Sequence, residues 1–254
     1  MSSDLSAQAQ DELRRSAAEA SKIVIAPVDV DRYLNPSPDT PFPLEYAFHL
    51  LGDVHGKTVL DLGCGSGETL IPLVHRGATV TGIDISPDLV AIAKRRIHDA
   101  QLSAEARACS AYETGLPDRS VDVIFCMSLV HHLNIAMVRN EMHRILKPGG
   151  YVVVKEPIRF SKGYGRLRSL LPAHDDISEY EHPLTEEEFD ELRKGFVAEE
   201  KRFFRLPFVP LIWRTLHFGR RAAFVVSNWT LTHFPATCHY ATTVAVRLRL
   251  PAEA

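Results

Sequence analysis

The stretch with the most chemical promise is VLDLGCGSGE, residues 59–68. An apolar strand runs into a turn carrying Gly63, Gly65 and Gly67, and a helix follows. Glycines let the backbone turn sharply and let a ligand approach it closely, while the start of the helix offers unpaired N–H groups. The spacing departs from the dinucleotide fingerprint GxGxxG, because the last glycine would fall on Glu68 counted from Gly63, or on Leu70 counted from Gly65. Asp61 and Glu68 beside the turn also disfavour a phosphate and point to a ligand with positive or donor groups. Asp84 closes the next strand, where a carboxylate can accept both ribose hydroxyls of a nucleoside. The pattern predicts a site for an adenosine-like group without a pyrophosphate.

These residues need a frame. Thr58–Leu62, Thr79–Asp84, Val121–Met127 and Tyr151–Lys155 read as strands, with a weaker one near 104–109. Between them 68–76, 87 to about 101 and 134–146 read as helices. Ser86 and Pro87 start the second, and Lys147-Pro148-Gly149-Gly150 ends the third. A capping box, TEEE, opens a further helix at Thr185, running to about Lys194. Residues 198–206 and 240–250 read as two closing strands. Upstream, 4–22 suits a solvated or loosely docked helix and 44–51 a short one. The five prolines within 27–43 predict an extended approach to the core. Apolar strands alternating with helices imply an α/β fold, a parallel sheet covered on both faces.

Several blocks in order carry a resemblance. Asp61-Leu62-Gly63-Cys64-Gly65-Ser66-Gly67, the acid Asp84, Leu116-Pro117-Asp118 with Ser120-Val121-Asp122, Leu129-Val130-His131-His132-Leu133 and Leu146-Lys147-Pro148-Gly149-Gly150 resemble the motifs of class I S-adenosylmethionine-dependent methyltransferases. The likeness is strong over about 45–156 and weak elsewhere. It implies a Rossmann-like, seven-stranded, mostly parallel sheet with helices on both faces, the last strand antiparallel, and lid insertions. It also implies S-adenosyl-L-methionine as cofactor. Gly63, Cys64, Gly65 and Gly67 would line its methionine part, Asp61 would orient the loop or the amino group, Asp84 would hold the ribose and Ile85 would pack on the adenine. Ser110-Ala111 stand where the family often has an Asp before a small residue, and a hydroxyl can still accept a hydrogen bond there. Met127 would lie beside the sulfonium, and Tyr33 would close over the cofactor carboxylate.

Methyl transfer is an in-line displacement at an activated carbon, so the protein mainly positions the nucleophile and excludes water. A hydroxyl acceptor would gain from a general base. His131 and His132 follow the fourth strand and Glu156 the fifth, at the carboxyl ends where open α/β sheets bind ligands. Tyr180 and His182 are rival candidates. The block Cys126-Met127-Ser128-Leu129 lacks the Asn/Asp-Pro-Pro-aromatic pattern of the base and glutamine N-methyltransferases of this superfamily. A small, apolar or aromatic acceptor methylated at oxygen is therefore the leading expectation. The alternatives are N- or C-methylation of a lipophilic metabolite at a membrane surface, or a lipid- or cofactor-binding protein without turnover.

Composition bounds these readings. The chain has 254 residues, 45% hydrophobic and 24% charged, with a net charge of −3, which excludes a disordered chain and gives no overall basicity to suggest nucleic acid. The charge is uneven: 201–254 carry eight Lys or Arg against the single acid Glu253, and nine of the 21 aromatics fall between Phe203 and Tyr240. That basic aromatic region, about 201–235, could meet anionic lipid. Cys64, Cys109, Cys126 and Cys238 form no CxxC pair and suggest reduced thiols in the cytoplasm. No metal-ligand spacing, signal-like apolar core or apolar run of 18 residues occurs, and His174-Asp175-Asp176 reads as a solvated loop. The expected organisation is a cap over 1–44, then one domain over 45–254 with insertions at about 157–184 and 207–239.

Overall fold

Seven strands form one sheet, the central ones rich in Val, Ile and Phe. They are β1 (Thr58–Leu62), β2 (Thr79–Asp84), β3 (Glu105–Ala108), β4 (Val121–Met127), β5 (Leu146–Pro157), β6 (Val197–Phe204) and β7 (Thr243–Arg249). The computed structural model describes residues 3–161, 182–207 and 220–252. The strand order is β3-β2-β1-β4-β5-β7-β6. All neighbours from β3 to β5 pair in parallel, and β7 runs antiparallel between β5 and β6. The helices are α1 (Ser3–Ala20), α2 (Asp31–Leu34), α3 (Pro43–Leu51), α4 (Leu70–His75), α5 (Pro87–Asp99), α6 (Ile135–Ile145), α7 (Glu186–Leu192) and α8 (Arg220–His233).

Successive side chains of a strand point to opposite faces, so each continuous apolar run feeds two cores. Val123 and Phe125 of β4 join Val59, Val80 and Val153 beneath α3, α4 and α5. Ile124 and Cys126 join Leu60, Val152 and Val154 beneath α6 and α7. Phe48 of α3 and Phe125 are fully buried with ring centroids 4.8 Å apart. Each such side chain contributes about 1.5–3 kcal/mol by leaving water.

Local signals set the helix starts. The Ser86 hydroxyl accepts from Leu89 N–H at 3.3 Å, with Pro87 in the first turn of α5. Thr185 and Glu188 close the reciprocal capping box of α7. Asn134 caps α6 by accepting from Met137 N–H at 3.1 Å. The turn at Gly149, with φ of 77°, lies within β5 rather than before it, because the strand begins directly at Leu146. The proline-rich approach contains one feature its composition did not suggest. The single helical turn α2 fits in the proline-free interval between Pro27 and Pro36. The insertion between β6 and β7 holds α8 and a 3-10 turn over Pro235–Tyr240. Phe208, Trp213, Phe218, Tyr180, His174, Asp175 and Asp176 lie outside the described residues, as do most of 157–184 and part of 207–239.

Candidate active site

The parallel sheet brings the carboxyl ends of β1, β2, β4 and β5 side by side. The glycine turn after β1 is stitched to β2, because Gly63 and Cys64 both donate their N–H to the Ile83 carbonyl, at 2.7 and 2.9 Å. Gly67 has φ of +82°, and a Cβ there would meet the Cβ of Ala93 at 2.8 Å, so glycine lets α5 press on the turn. At Gly65, φ is +50° and a Cβ would meet nothing within 4 Å, which leaves backbone facing open space beside Asp84. One Asp84 oxygen accepts from Gly65 N–H and the other from Ser86 N–H, both at 2.9 Å. This fixes the carboxylate rigidly, and each oxygen keeps a further lone pair.

Asp61 lies behind the turn, 1% exposed, accepting from the Thr69 hydroxyl at 2.5 Å. Burial raises its pKa to about 7, and the nearby Asp84 charge adds to the rise. Burial also raises the pKa of Asp84, against the hydrogen bonds from Ser86, Gly65 and Ile85. Among the described residues no cationic side chain pairs with either acid. A buried and a half-buried carboxylate side by side, lacking a cation among the described residues, suit a positively charged ligand and repel a phosphate. Burial keeps the Cys64 thiol protonated by raising its pKa well above the ordinary value, so Cys64 packs and does not react as a thiolate.

A cavity opens beside the turn, lined by Gly63, Ile83, Asp84, Ile85, Cys109, Ser110, Ala111, Tyr112, Leu129, His132 and Leu133. Ala9, Asp11 and Glu12 of α1 close its other side. With Asp84 and the apolar side chains of Ile85 and Leu133 in one lining, the cavity has groups that could take a nucleoside. Asp61, Cys64, Gly65 and Gly67 stand behind or beside this lining and shape it. No pattern in the chain marks Tyr112, whose hydroxyl accepts from Asn134 N–H at 2.7 Å, or the three α1 residues. An Ala-rich helix with no long apolar stripe carries no mark of what it covers.

His131 and His132 occupy the 3-10 turn after β4, ring centroids 4.0 Å apart, and face different spaces. His132 lines the cavity just described, with Nδ1 3.8 Å from Glu12. His131 lines a second cavity of about 490 Å³ with Arg32, Tyr33, Phe42, Ser128, Lys155, Arg205 and Phe224. Glu156, 0% exposed, accepts from Leu129 N–H at 2.8 Å and Val130 N–H at 2.9 Å, and its other oxygen lies 2.7 Å from His131 Nδ1. One carboxylate thereby fixes both the turn and the imidazole, and the neutral ring donating from Nδ1 keeps Nε2 as its basic nitrogen. Tyr33 belongs to this second space, its ring 4.8 Å from Phe48. Met127 packs partly buried at the end of β4 and lines neither space. His182 lies 2.8 Å from Glu188 at the start of α7, on an element that contributes no residue to either cavity.

Known proteins agree with this arrangement. Residues 60–154 match a family model described as a methyltransferase domain. The chain is 36% identical over 191 residues to a demethylmenaquinone methyltransferase of Tropheryma whipplei, covering 68% of this chain and 75% of the relative. It is 30% identical over 126 residues to a ubiquinone biosynthesis O-methyltransferase of Alkalilimnicola ehrlichii, a match that spans 49% of this chain and 51% of the relative. The crystal structure of geranyl diphosphate C-methyltransferase from Streptomyces coelicolor shares the fold with a TM-score of 0.62 and 17% identity, over 96% of this chain and 97% of that one. With its glycine turn, its strand-end acid and these relatives, the chain belongs to the class I S-adenosylmethionine-dependent methyltransferases.

Proposed function

We propose that this enzyme methylates an oxygen of a small organic acceptor, with His131 as general base and Glu156 as the group that orients it. The observation that carries the reading is the buried Glu156–His131 pair at 2.7 Å, opening on a cavity beside the nucleoside site. S-adenosylmethionine supplies a methyl group already activated by its sulfonium. Asp84 would hold the ribose hydroxyls, Ile85, Ser110 and Ala111 would line the base, and Asp61 with the Gly63–Gly67 turn would receive the amino acid end. His131 Nε2 would take the acceptor's hydroxyl proton, and the Glu156 carboxylate would stabilise the imidazolium that forms, while methyl transfer breaks the carbon–sulfur bond and releases S-adenosylhomocysteine. His132 and Glu12 close the nucleoside side under α1. Phe42 and Phe224 favour an acceptor with an apolar or aromatic body, and the quinone-pathway names of two relatives agree with that.

The test is a panel of phenols, aromatic acids, alcohols and amines with labelled S-adenosylmethionine. Transfer to a hydroxyl compound is expected, and His131→Ala should lower it at least a hundredfold. Transfer confined to amines or carbons, or a near-normal rate in the variant, refutes the assignment. A contact with lipid is the second reading. Val225, Val226, Trp229, Phe234 and Tyr240 are all exposed on α8 and the turn after it, and Arg221 is exposed at the start of α8. Co-sedimentation with anionic vesicles at low salt that disappears in Trp229→Ala would support this contact, and no sedimentation of the wild type would remove it.

A further inference from the structure

One guanidinium is buried behind the glycine turn and serves three segments. Arg96, on the inner face of α5, is 4% exposed. Its Nε donates to the Ser66 carbonyl at 3.1 Å, inside the turn after β1, and Nη1 donates to the Ala26 carbonyl at 2.8 Å. Nη2 lies 3.5 Å from the Glu68 carboxylate. A planar fork with fixed donor directions bridges two carbonyls with little further loss of freedom, which a single ammonium on a flexible stem does not match.

Ala26 stands in the middle of a connection that has little else to hold it. No residue from 17 to 39 is buried, α2 included. A segment with so little apolar burial opens at low free-energy cost, so polar contacts decide where it lies. Apart from the bond to Arg96, Arg76 donates to the Tyr33 carbonyl at 3.3 Å, and Arg32 pairs with Glu45 at 2.7 Å. The two ends of the connection lead to different spaces. Upstream, Ala9, Asp11 and Glu12 of α1 close the nucleoside cavity. Downstream, Arg32 and Tyr33 of α2 line the second cavity. The carbonyl that Arg96 holds therefore lies between the covers of both.

We infer that Arg96 is a positioning residue that couples the cofactor turn to the N-terminal segment, so that an occupied turn seats residues 21–34 and with them one wall of the second cavity. The Ser66 carbonyl belongs to the same short turn as Gly65 and Gly67. A ligand that fixes this turn fixes the carbonyl to which Arg96 is bonded, and the fork passes that order to Ala26. Coupling of this kind is reciprocal, so a seated segment also tightens cofactor binding. An order of events follows: the cofactor enters first, and its arrival completes the second cavity. The coupling is independent of whether His131 acts as a base.

Hydrogen–deuterium exchange of the full chain, with and without saturating S-adenosylhomocysteine, tests the coupling. In the wild type the ligand should slow exchange over 21–34 at least threefold. Arg96→Met should bind S-adenosylhomocysteine about ten- to a hundredfold more weakly by calorimetry. At saturation its residues 21–34 should exchange as fast as without ligand. Arg96→Lys keeps the charge but loses the fork, and should retain less than half of the ligand's effect on 21–34. A merely structural Arg96 would give another pattern: in Arg96→Met, exchange would rise across α5 and the sheet while the ligand still slowed 21–34 as in the wild type. That pattern overturns the inference, and so does exchange over 21–34 that the ligand leaves unchanged in the wild type. If Arg96→Met does not fold, Arg96→Lys decides, and a full wild-type response to ligand in it overturns the inference.

Discussion

Binding of S-adenosylhomocysteine should be controlled by the ionisation of Asp61. The carboxyl is 1% exposed, and burial with the nearby Asp84 charge lifts its pKa from 3.8 to about 7. A ligand ammonium placed beside it requires the ionised form, so each pH unit below about 7 should weaken binding about tenfold. Between about pH 8 and about pH 5.5 the expected loss is about 30-fold, or roughly 2 kcal/mol. Isothermal calorimetry in buffers of different ionisation enthalpy reads both the affinity and the uptake or release of protons. Nearly one proton should be released per ligand at the acid end. Asp61→Asn keeps an oxygen for the Thr69 hydroxyl, binds weakly and should lose the pH dependence. Asp84→Asn should bind weakly yet keep it. A linked effect acts on the empty protein. Between about pH 4 and about pH 7 the folded state holds a proton that the unfolded chain has shed, so stability falls as pH rises, by up to about 4 kcal/mol in all. Asp61→Asn should therefore melt higher than wild type at about pH 8 while binding ligand worse. A flat affinity curve for the wild type, or a slope preserved in Asp61→Asn, refutes this reasoning.

Three further outcomes are expected. Glu156→Gln puts an amide opposite three donors, so it should lower transfer about a hundredfold or more and stability by about 1–3 kcal/mol. Its S-adenosylhomocysteine affinity should stay within about twofold, and steady-state rates with calorimetry check both. Gly67→Ala forces a Cβ to 2.8 Å from Ala93 at a φ of +82°, and urea denaturation should show a loss of about 2–4 kcal/mol. If α1 covers the nucleoside cavity, saturating S-adenosylhomocysteine should slow proteolysis within 3–20, and equal cleavage rates with and without ligand would exclude a covering role.

The parts of this molecule that were legible in its sequence are those set by local rules. β1, β2 and β4 follow from apolar runs between turn residues, and their observed ends coincide with the expected ones. The Ser86 cap and the Thr185 capping box are chemical signals within four residues, and both form. The acidic glycine turn is legible for the same reason, since its backbone geometry and its carboxylates are neighbours in the chain. The pairing of His131 with Glu156 is partly legible, because both follow strands that the parallel sheet must place side by side. What joins them across 25 residues is the register of β4 on β5, which pattern alone does not fix.

The second cavity was not legible, and the reason is geometric. Arg32 comes from the helical turn α2, Lys155 from β5, Arg205 from the end of β6 and Phe224 from α8. The proline-rich approach and the basic aromatic region were visible as compositions, but their meeting was not: they come together because β7 inserts between β5 and β6 and turns the last loops toward the carboxyl edge. The excess of basic residues after 200 was visible as a sum, but a sum carries no position. In the fold that excess divides. Arg247 and Arg249 pair with Glu199 across the β6–β7 ladder, and Arg202 reaches the Pro38 carbonyl and Asn228. Arg205 turns to the cavity instead, and Arg221 lines the adjoining space with Arg32 and Phe224. The basic tail therefore acts mostly as structural mortar, with Arg205 bordering the second cavity.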